Sequence, residues 1–299
     1  MIDLNRFIED ELAVRFKHYK EDPASIIEHY NIEEQNIQTY NGRQLLEMLQ
    51  NADDASESAS IKKVLIKLIG NKLIICNNGE SFNEEGYLSI TRSNISPKTM
   101  QQNKIGQKGL GFRSILSWAD NVEINSGGIK LGFSRKIAQT FLQNLIVEKP
   151  EIASFIKKTS KSKYPIATLR VPQLINNIKD KGFDFDTVIT LILRENIEKD
   201  VQSQIHTVIN KETLIFLNHI EEIEVDSPER KVIFKKSISE NRVTVESYDS
   251  LGNSFESKTW NLNKISGEHI YFDNSETKSK NYELVIAWND ELNDSEDVI

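Results

Sequence analysis

LLEMLQNADDA, residues 45–55, sets the reading of this chain. Glu47 is followed four residues later by Asn51 and three further on by Asp54, and apolar residues fill most of the gaps: Leu45, Leu46, Met48, Leu49, Ala52 and Ala55. Steps of four and three keep Glu47, Asn51 and Asp54 on one face at helical pitch. One edge of an otherwise apolar helix, placed at 42–57, therefore carries two carboxylates and an amide. That set suits a magnesium ion, a water and a bound nucleotide better than a solvated surface. Asp53 points off this face and is not chosen.

Working outward, KKVLIKLIG (62–70) alternates and then turns apolar, and LIICNN (73–78) is a short buried run; Gly70-Asn71 joins them as a hairpin. NGESFNEEGYLSI (78–90) leads from a loop into a short helix. Residues 92–108 are polar and suit a mobile flap. A helix is expected from 110 to about 118, strands at 121–126 and 129–134, helices across 135–161, and strands at 166–171 and 186–194. A helix at 196–217 precedes a run of short strands: IEEIEV, KVIFKK, NRVTVESYD, SKTWNLN, HIYFD and YELVIAW. Upstream, Leu4, Phe7, Ile8, Leu12 and Phe16 form a helical stripe that Pro23 interrupts. This segment could pack on the domain or reach over a neighbouring subunit. The expected fold class is α+β, with a mixed, largely antiparallel sheet. The expected division is a helical segment at 1–40, a first domain at 41–204 and a β-rich domain at 205–299.

Composition narrows the functional classes. The chain has 299 residues, 38% hydrophobic and 8% aromatic, enough to build real cores. A net charge of −8 does not indicate nucleic acid as an obligatory partner, because phosphate neutralisation needs a basic surface. One cysteine, Cys76, excludes an internal disulfide and reads as a buried, inert thiol in an intracellular chain. No apolar run approaches the ~18 residues that span a bilayer. The reading is a soluble, cytoplasmic protein. The five histidines lack zinc-site spacing.

Two further motifs carry chemistry. Six of the thirteen glycines fall between 106 and 132, three of them in IGQKGLGF: Gly106, Gly109 and Gly111. A glycine loop before a helix start aims free N–H groups at an anion. It has neither the Walker nor the Rossmann order; alone, it is as readily a tight turn before a packed helix. CNNGESF (76–82) follows a buried strand, where a polar side chain at the strand end can read a base edge and Gly79 lets a ligand lie on the backbone. Alone, it is an ordinary NG turn.

Taken in order, LLEMLQNADDA, NNG and IGQKGLGF resemble the ATP-binding domain of the gyrase, heat-shock-chaperone, histidine-kinase and MutL superfamily. FDTVITLIL (185–193) and ETLIFLNHIEEIEV (212–225) point to its sacsin and NO VEIN-like branch. The resemblance covers about residues 40–225. It implies a two-layer α/β sandwich, the Bergerat fold, followed by a smaller β-rich domain. It implies ATP and Mg2+ as ligands, with Glu47 as the general base that orients the attacking water and Asn51 as the magnesium ligand. By the same resemblance, Asp54 and Thr187 serve the adenine side and its waters. Asn77 stands where most relatives have an aspartate that accepts from the adenine amine, and Gly79 matches the glycine beside it. Gly106, Gly109, Leu110 and Gly111 would cradle phosphate with Phe112 packed beneath, and Lys98 and Lys108 could neutralise it. The implied function is slow ATP hydrolysis driving lid closure and a conformational or assembly switch, chaperone-like or in bacterial defence. Self-association or a partner protein would engage the lid and the C-terminal region. The alternatives are a binding module without turnover and, less favoured, a histidine kinase: His18 and His29 are each followed by tyrosine rather than an acid. Relatives usually continue further, so the chain is expected to be a piece of a longer protein.

Overall fold

The computed structural model describes residues 4–92, 111–175, 183–273 and 276–289. Among the described residues eleven strands form one open, mixed sheet, and helices pack against it, an α+β architecture. The helices are α1 (Leu4–Glu21), α2 (Ala24–Thr39), α3 (Gln44–Ala55), α4 (Glu84–Thr91), α5 (Arg135–Glu148), α6 (Glu151–Thr159), α7 (Glu198–Thr207) and α8 (Lys211–Phe216). The strands are β1 (Lys63–Ile69), β2 (Lys72–Asn77), β3 (Ala119–Ser126), β4 (Ile129–Ser134), β5 (Gln173–Leu174), β6 (Thr187–Leu193), β7 (Glu222–Asp226), β8 (Lys231–Ser239), β9 (Arg242–Tyr248), β10 (Ser254–Asp273) and β11 (Glu276–Trp288). A 3₁₀ helix, Gly111–Ser117, stands where a helix from 110 was expected.

The strand order is β11-β10-β9-β8-β7-β1-β2-β6-β3-β4-β5. Among the described pairs only β1–β7 is parallel. Strands from before and after α7 thus share one sheet. One face is apolar: Val64, Ile66, Leu73, Ile75, Ile189, Leu191, Val122 and Ile124 bury against Leu45, Met48, Leu49 and Ala52 of α3. The opposite face of β1, β7 and β8 is laced with ion pairs, among them Lys63–Glu224 at 2.7 Å, Lys67–Asp226 at 2.6 Å and Lys235–Glu222 at 3.3 Å. Alternation of period two along each strand separates the faces.

The N-terminal segment packs on its own chain. Ile8 is fully buried in the main core, with Leu4, Phe7 and Leu12 beside it. Tyr19 and Ile26 join Leu142, Leu145 and Ile152 of α5 and α6 in a second core. Buried polar contacts fasten the segment to residues 168–170: the Glu33 carboxylate accepts from the Thr168 and Leu169 amides at 2.6 and 3.0 Å, and Arg15 donates to the Arg170 carbonyl. Tyr19 takes a hydrogen bond from Arg170 at 2.9 Å and lies 3.0 Å from His29, whose pKa burial pulls down to about 4.

Three expectations are corrected. Residues 166–171 are irregular, with a turn at 169–170, not a strand. Pro165 and Pro172 bracket them, and the amides of Thr168 and Leu169 go to Glu33 instead of a ladder. The expected helix 196–217 divides into α7 and α8, because the Asn210 side chain accepts from the Thr213 amide at 2.7 Å and starts a new helix. SKTWNLN and HIYFD are one 20-residue strand. Gly267 between them makes no turn; the Tyr282 ring lies across it, and a Cβ there would sit 2.4 Å from the tyrosine oxygen.

Candidate functional site

Helix α3 is held at both ends by distant residues. Its first turn lacks a side-chain cap from its own N-cap residue Arg43, and Gln204 of α7 accepts from the Leu45 amide at 3.1 Å instead. At the other end, Ser56 Oγ donates to the carbonyls of Ala52 and Asn78 at 2.7 and 2.8 Å, and the Glu80 amide donates to the Ala55 carbonyl at 2.8 Å. The turn after β2 is therefore laid across the helix C-terminus.

Glycine makes both approaches to α3 possible. A Cβ on Gly79, whose φ is +140°, would lie 2.1 Å from the Ala55 carbonyl oxygen. A Cβ on Gly111 would lie 2.0 Å from the Glu47 carboxylate. The second glycine motif thus meets the last turn of α3, and the final glycine of the third motif meets the first. Gly79→Ala should cost at least ~2 kcal/mol through backbone strain and the clash with Ala55. Gly128→Ala, at a φ of +79° but with open space around it, is the control. Urea midpoints check this, and equal losses in the two variants would remove the role given to the Ala55 contact.

Glu47 is half-buried and its carboxylate lies 3.2 Å from the Arg43 guanidinium. Burial pushes the Glu47 pKa up, and Arg43 pulls it back. Asn51 is exposed and Asp54 is partly buried. Phe112 is buried in the main core. Lys98, Gly106, Lys108, Gly109 and Leu110 lie outside the described residues. The flanks of that stretch are tied together: the fully buried Arg113 donates to the carbonyls of Ile90 and Arg92 at 3.1 and 2.6 Å.

A polar patch ends the apolar face of the sheet. Asn77 on β2 pairs with Thr187 on β6, and Thr187 pairs with Ser126 on β3. All three are buried, and the Ser126 and Thr187 hydroxyls are 2.7 Å apart. Ser126 also accepts from the Phe82 amide at 3.0 Å, and Asp186 accepts from the Gly79 amide at 2.9 Å. Asn77 is set with its amide nitrogen on the Asn78 carbonyl at 3.3 Å, an orientation that leaves the amide oxygen as its acceptor end. The sequence reading missed Ser126 and Asp186. Ser126 was detectable: period two along β3 puts it on the same face as Val122 and Ile124, where a polar residue at a strand end is unusual.

An open cleft of about 330 Å³ lies on the flank of α3, between it and α8, lined by Leu46, Gln50, Asp54, Thr213, Phe216 and Leu217. Of the expected site residues that are described, only Asp54 reaches it. Among the described residues no group of three or more His, Cys, Asp or Glu side chains could hold a metal ion, and no helix is long and apolar enough to cross a membrane.

A family model, the Sacsin domain, matches residues 56–250, more than half of the chain. The chain belongs to the Sacsin domain family. No curated protein matches it. The Sacsin-domain match takes in Asn77, Gly79, Gly111, Phe112 and Thr187 together with the meander through β9, and it starts one residue after α3. Glu47, Asn51 and Asp54 therefore stand on a helix outside the matched span, joined to it by the contacts of Gly79 and Gly111.

Proposed function

We propose that this Sacsin-domain chain binds ATP with Mg2+ on a Bergerat-type layer of helices over the sheet, and hydrolyses it slowly to drive a conformational switch. One observation carries the reading: Gly79 and Gly111, one from each glycine motif, meet opposite ends of α3. The donor set fits the ligand. Asn77, Ser126 and Thr187 offer hydrogen-bonding groups to a base at the end of an apolar face. Asn51 offers an amide oxygen, and one protein oxygen with phosphates and waters is how magnesium is commonly held.

Each residue then has a stated task. Glu47 accepts a proton from a water, and its upward-shifted carboxyl is better poised for that near neutral pH than an ordinary glutamate. Gly111, having no side chain, lets that carboxylate pack against its backbone. Bound Mg2+ would supply charge neutralisation at the phosphates. Gly106, Gly109, Leu110, Lys98 and Lys108 are assigned to the phosphates on the sequence resemblance, as Asp54 is to the adenine side. The β-rich second domain, a partner protein and a cytoplasmic setting belong to the same reading.

Binding is the first test. Calorimetry with Mg-ATP should show saturable binding, with GTP weaker. No heat with millimolar Mg-ATP would sink the nucleotide reading altogether. A binding module without turnover is the second reading, favoured by Asn77 in place of a charged acceptor and by the Arg43–Glu47 ion pair, which occupies the base.

A further inference from the structure

Gln44 stands one turn ahead of Glu47 on α3 and is fully buried. Its side-chain amide works in three directions. Nε2 donates to Asn41 Oδ1 at 3.0 Å and to Ser117 Oγ at 2.8 Å, and Oε1 accepts from Gln204 Nε2 at 2.7 Å. Gln204 Oε1 in turn accepts from the Leu45 amide, so the α7 glutamine grips α3 twice. Turning the Gln44 amide over would set its oxygen against the Asn41 oxygen, so the pattern fixes which end faces Ser117.

The run of hydrogen bonds continues along the 3₁₀ helix Gly111–Ser117. Ser117 Oγ donates to the Ser114 carbonyl at 2.7 Å, and Ser114 Oγ donates to the Gly111 carbonyl at 2.7 Å. The run therefore leaves α3 at Gln44, meets the far end of the 3₁₀ helix and returns to α3 at Gly111, where the Glu47 carboxylate packs. Phe112, Ile115 and Leu116 bury the same helix in the main core, but apolar packing has no direction. A satisfied buried polar network specifies one arrangement. At Gly111 there is no side chain to steer the contact, so the steering comes from the Ser117 end.

We propose that Gln44 is a positioning residue for Glu47: through Ser117 and Ser114 it sets where the Gly111 backbone meets the Glu47 carboxylate. The family match begins at residue 56, so this one amide also joins α3 to two elements of the matched span, the 3₁₀ helix and α7. The consequence for catalysis rests on the base role proposed for Glu47; the placement does not.

The placement is tested without nucleotide. The Glu47 carboxyl, assigned by its loss in Glu47→Gln, is titrated by carbon NMR in the whole chain. Burial holds it above the ordinary glutamate range in the wild type. Gln44→Met keeps the side-chain length and removes the amide, and Ser117→Ala removes the acceptor while leaving Gln44. Each should shift the Glu47 titration down toward the ordinary range, and the double variant should shift it no further than either alone. Asn210→Ala, which loses the cap of α8, should lower the melting temperature and leave the titration in place. Asn41 is exposed and Gln204 partly so, and water can take up the bonds that Gln44→Met vacates; Ser117→Ala carries the test if that variant does not fold. No shift in either variant, additive shifts, or an equal shift in Asn210→Ala would overturn the assignment. Where the wild type releases phosphate, kcat should fall at least ~10-fold in both variants with KM for Mg-ATP unchanged. An unchanged kcat beside a shifted titration would overturn the positioning role. A wild type without release would count against the base role of Glu47, and the titration alone would then judge the placement.

Discussion

Asp53→Ala should lose about 3–5 kcal/mol of stability, a large share of the ~5–15 kcal/mol typical of a folded domain. The Asp53 carboxylate is buried and accepts from the backbone amides of Asn218, His219 and Ile220, each at 2.8 Å. Removing it strands donors beneath the surface, at ~1–3 kcal/mol for each that finds no water. The loss is compounded next door. The buried Lys236 amine donates to the Leu217 carbonyl, and burial pulls its pKa down to about 8 while Asp53 is foremost in opposing that shift. Without Asp53 this ammonium loses its chief counter-charge. Asp53→Asn keeps one acceptor oxygen and should fall between alanine and wild type. Urea midpoints decide the matter, and an alanine variant within ~1 kcal/mol of wild type would show that the loop satisfies its amides another way.

Phosphate release should fall ~10²–10⁴-fold in Glu47→Gln, with Mg-ATP affinity little changed. Glutamine keeps the shape that packs on Gly111 and removes the proton acceptor, so the change isolates basicity from packing. Arg43→Ala is the useful companion. The ion pair at 3.2 Å holds the carboxylate and pulls its pKa back down, so its loss should raise the pH at which release is half-maximal. Release at the wild-type rate in Glu47→Gln would end the general-base assignment while leaving nucleotide binding standing. Binding without release in the wild type would instead favour the module that does not turn over.

The β1–β2 hairpin and α3 were legible because their information is local. Gly70 and Asn71 form the turn between two strands paired from Val64–Asn77 to Ile69–Lys72, and the apolar side of α3 is written at helical spacing. Asn77 and Thr187 were placed at strand ends for the same reason. Spacing also separated Asp53 from Asp54, but it could not say what Asp53 does: its three donors lie more than 160 residues downstream. Residues 166–171 misled because Ile166, Leu169 and Val171 are apolar for packing into two different cores, not for strand alternation. The strand β10 misled in the opposite sense. A glycine in a strand reads as a break, and the tyrosine that covers Gly267 comes from the returning strand.

The β10–β11 hairpin has a mechanical consequence. The β9 register ends at Asn261 and the Leu262 amide still donates to the Asn241 carbonyl, so among the described residues strand β10 is paired with β11 alone from Asn263 to Asp273. Those residues reach roughly 36 Å at ~3.3 Å each. Lys211–Glu256 and the Lys258–Glu212 contact at 3.8 Å bolt the root of this arm to α8, beside the loop that Asp53 grips. A pivot of ~10° at the root would sweep the tip through ~6 Å, by the same strand rise. A stiff arm of that length would act as a lever with its fulcrum at α8, beside the loop held by Asp53.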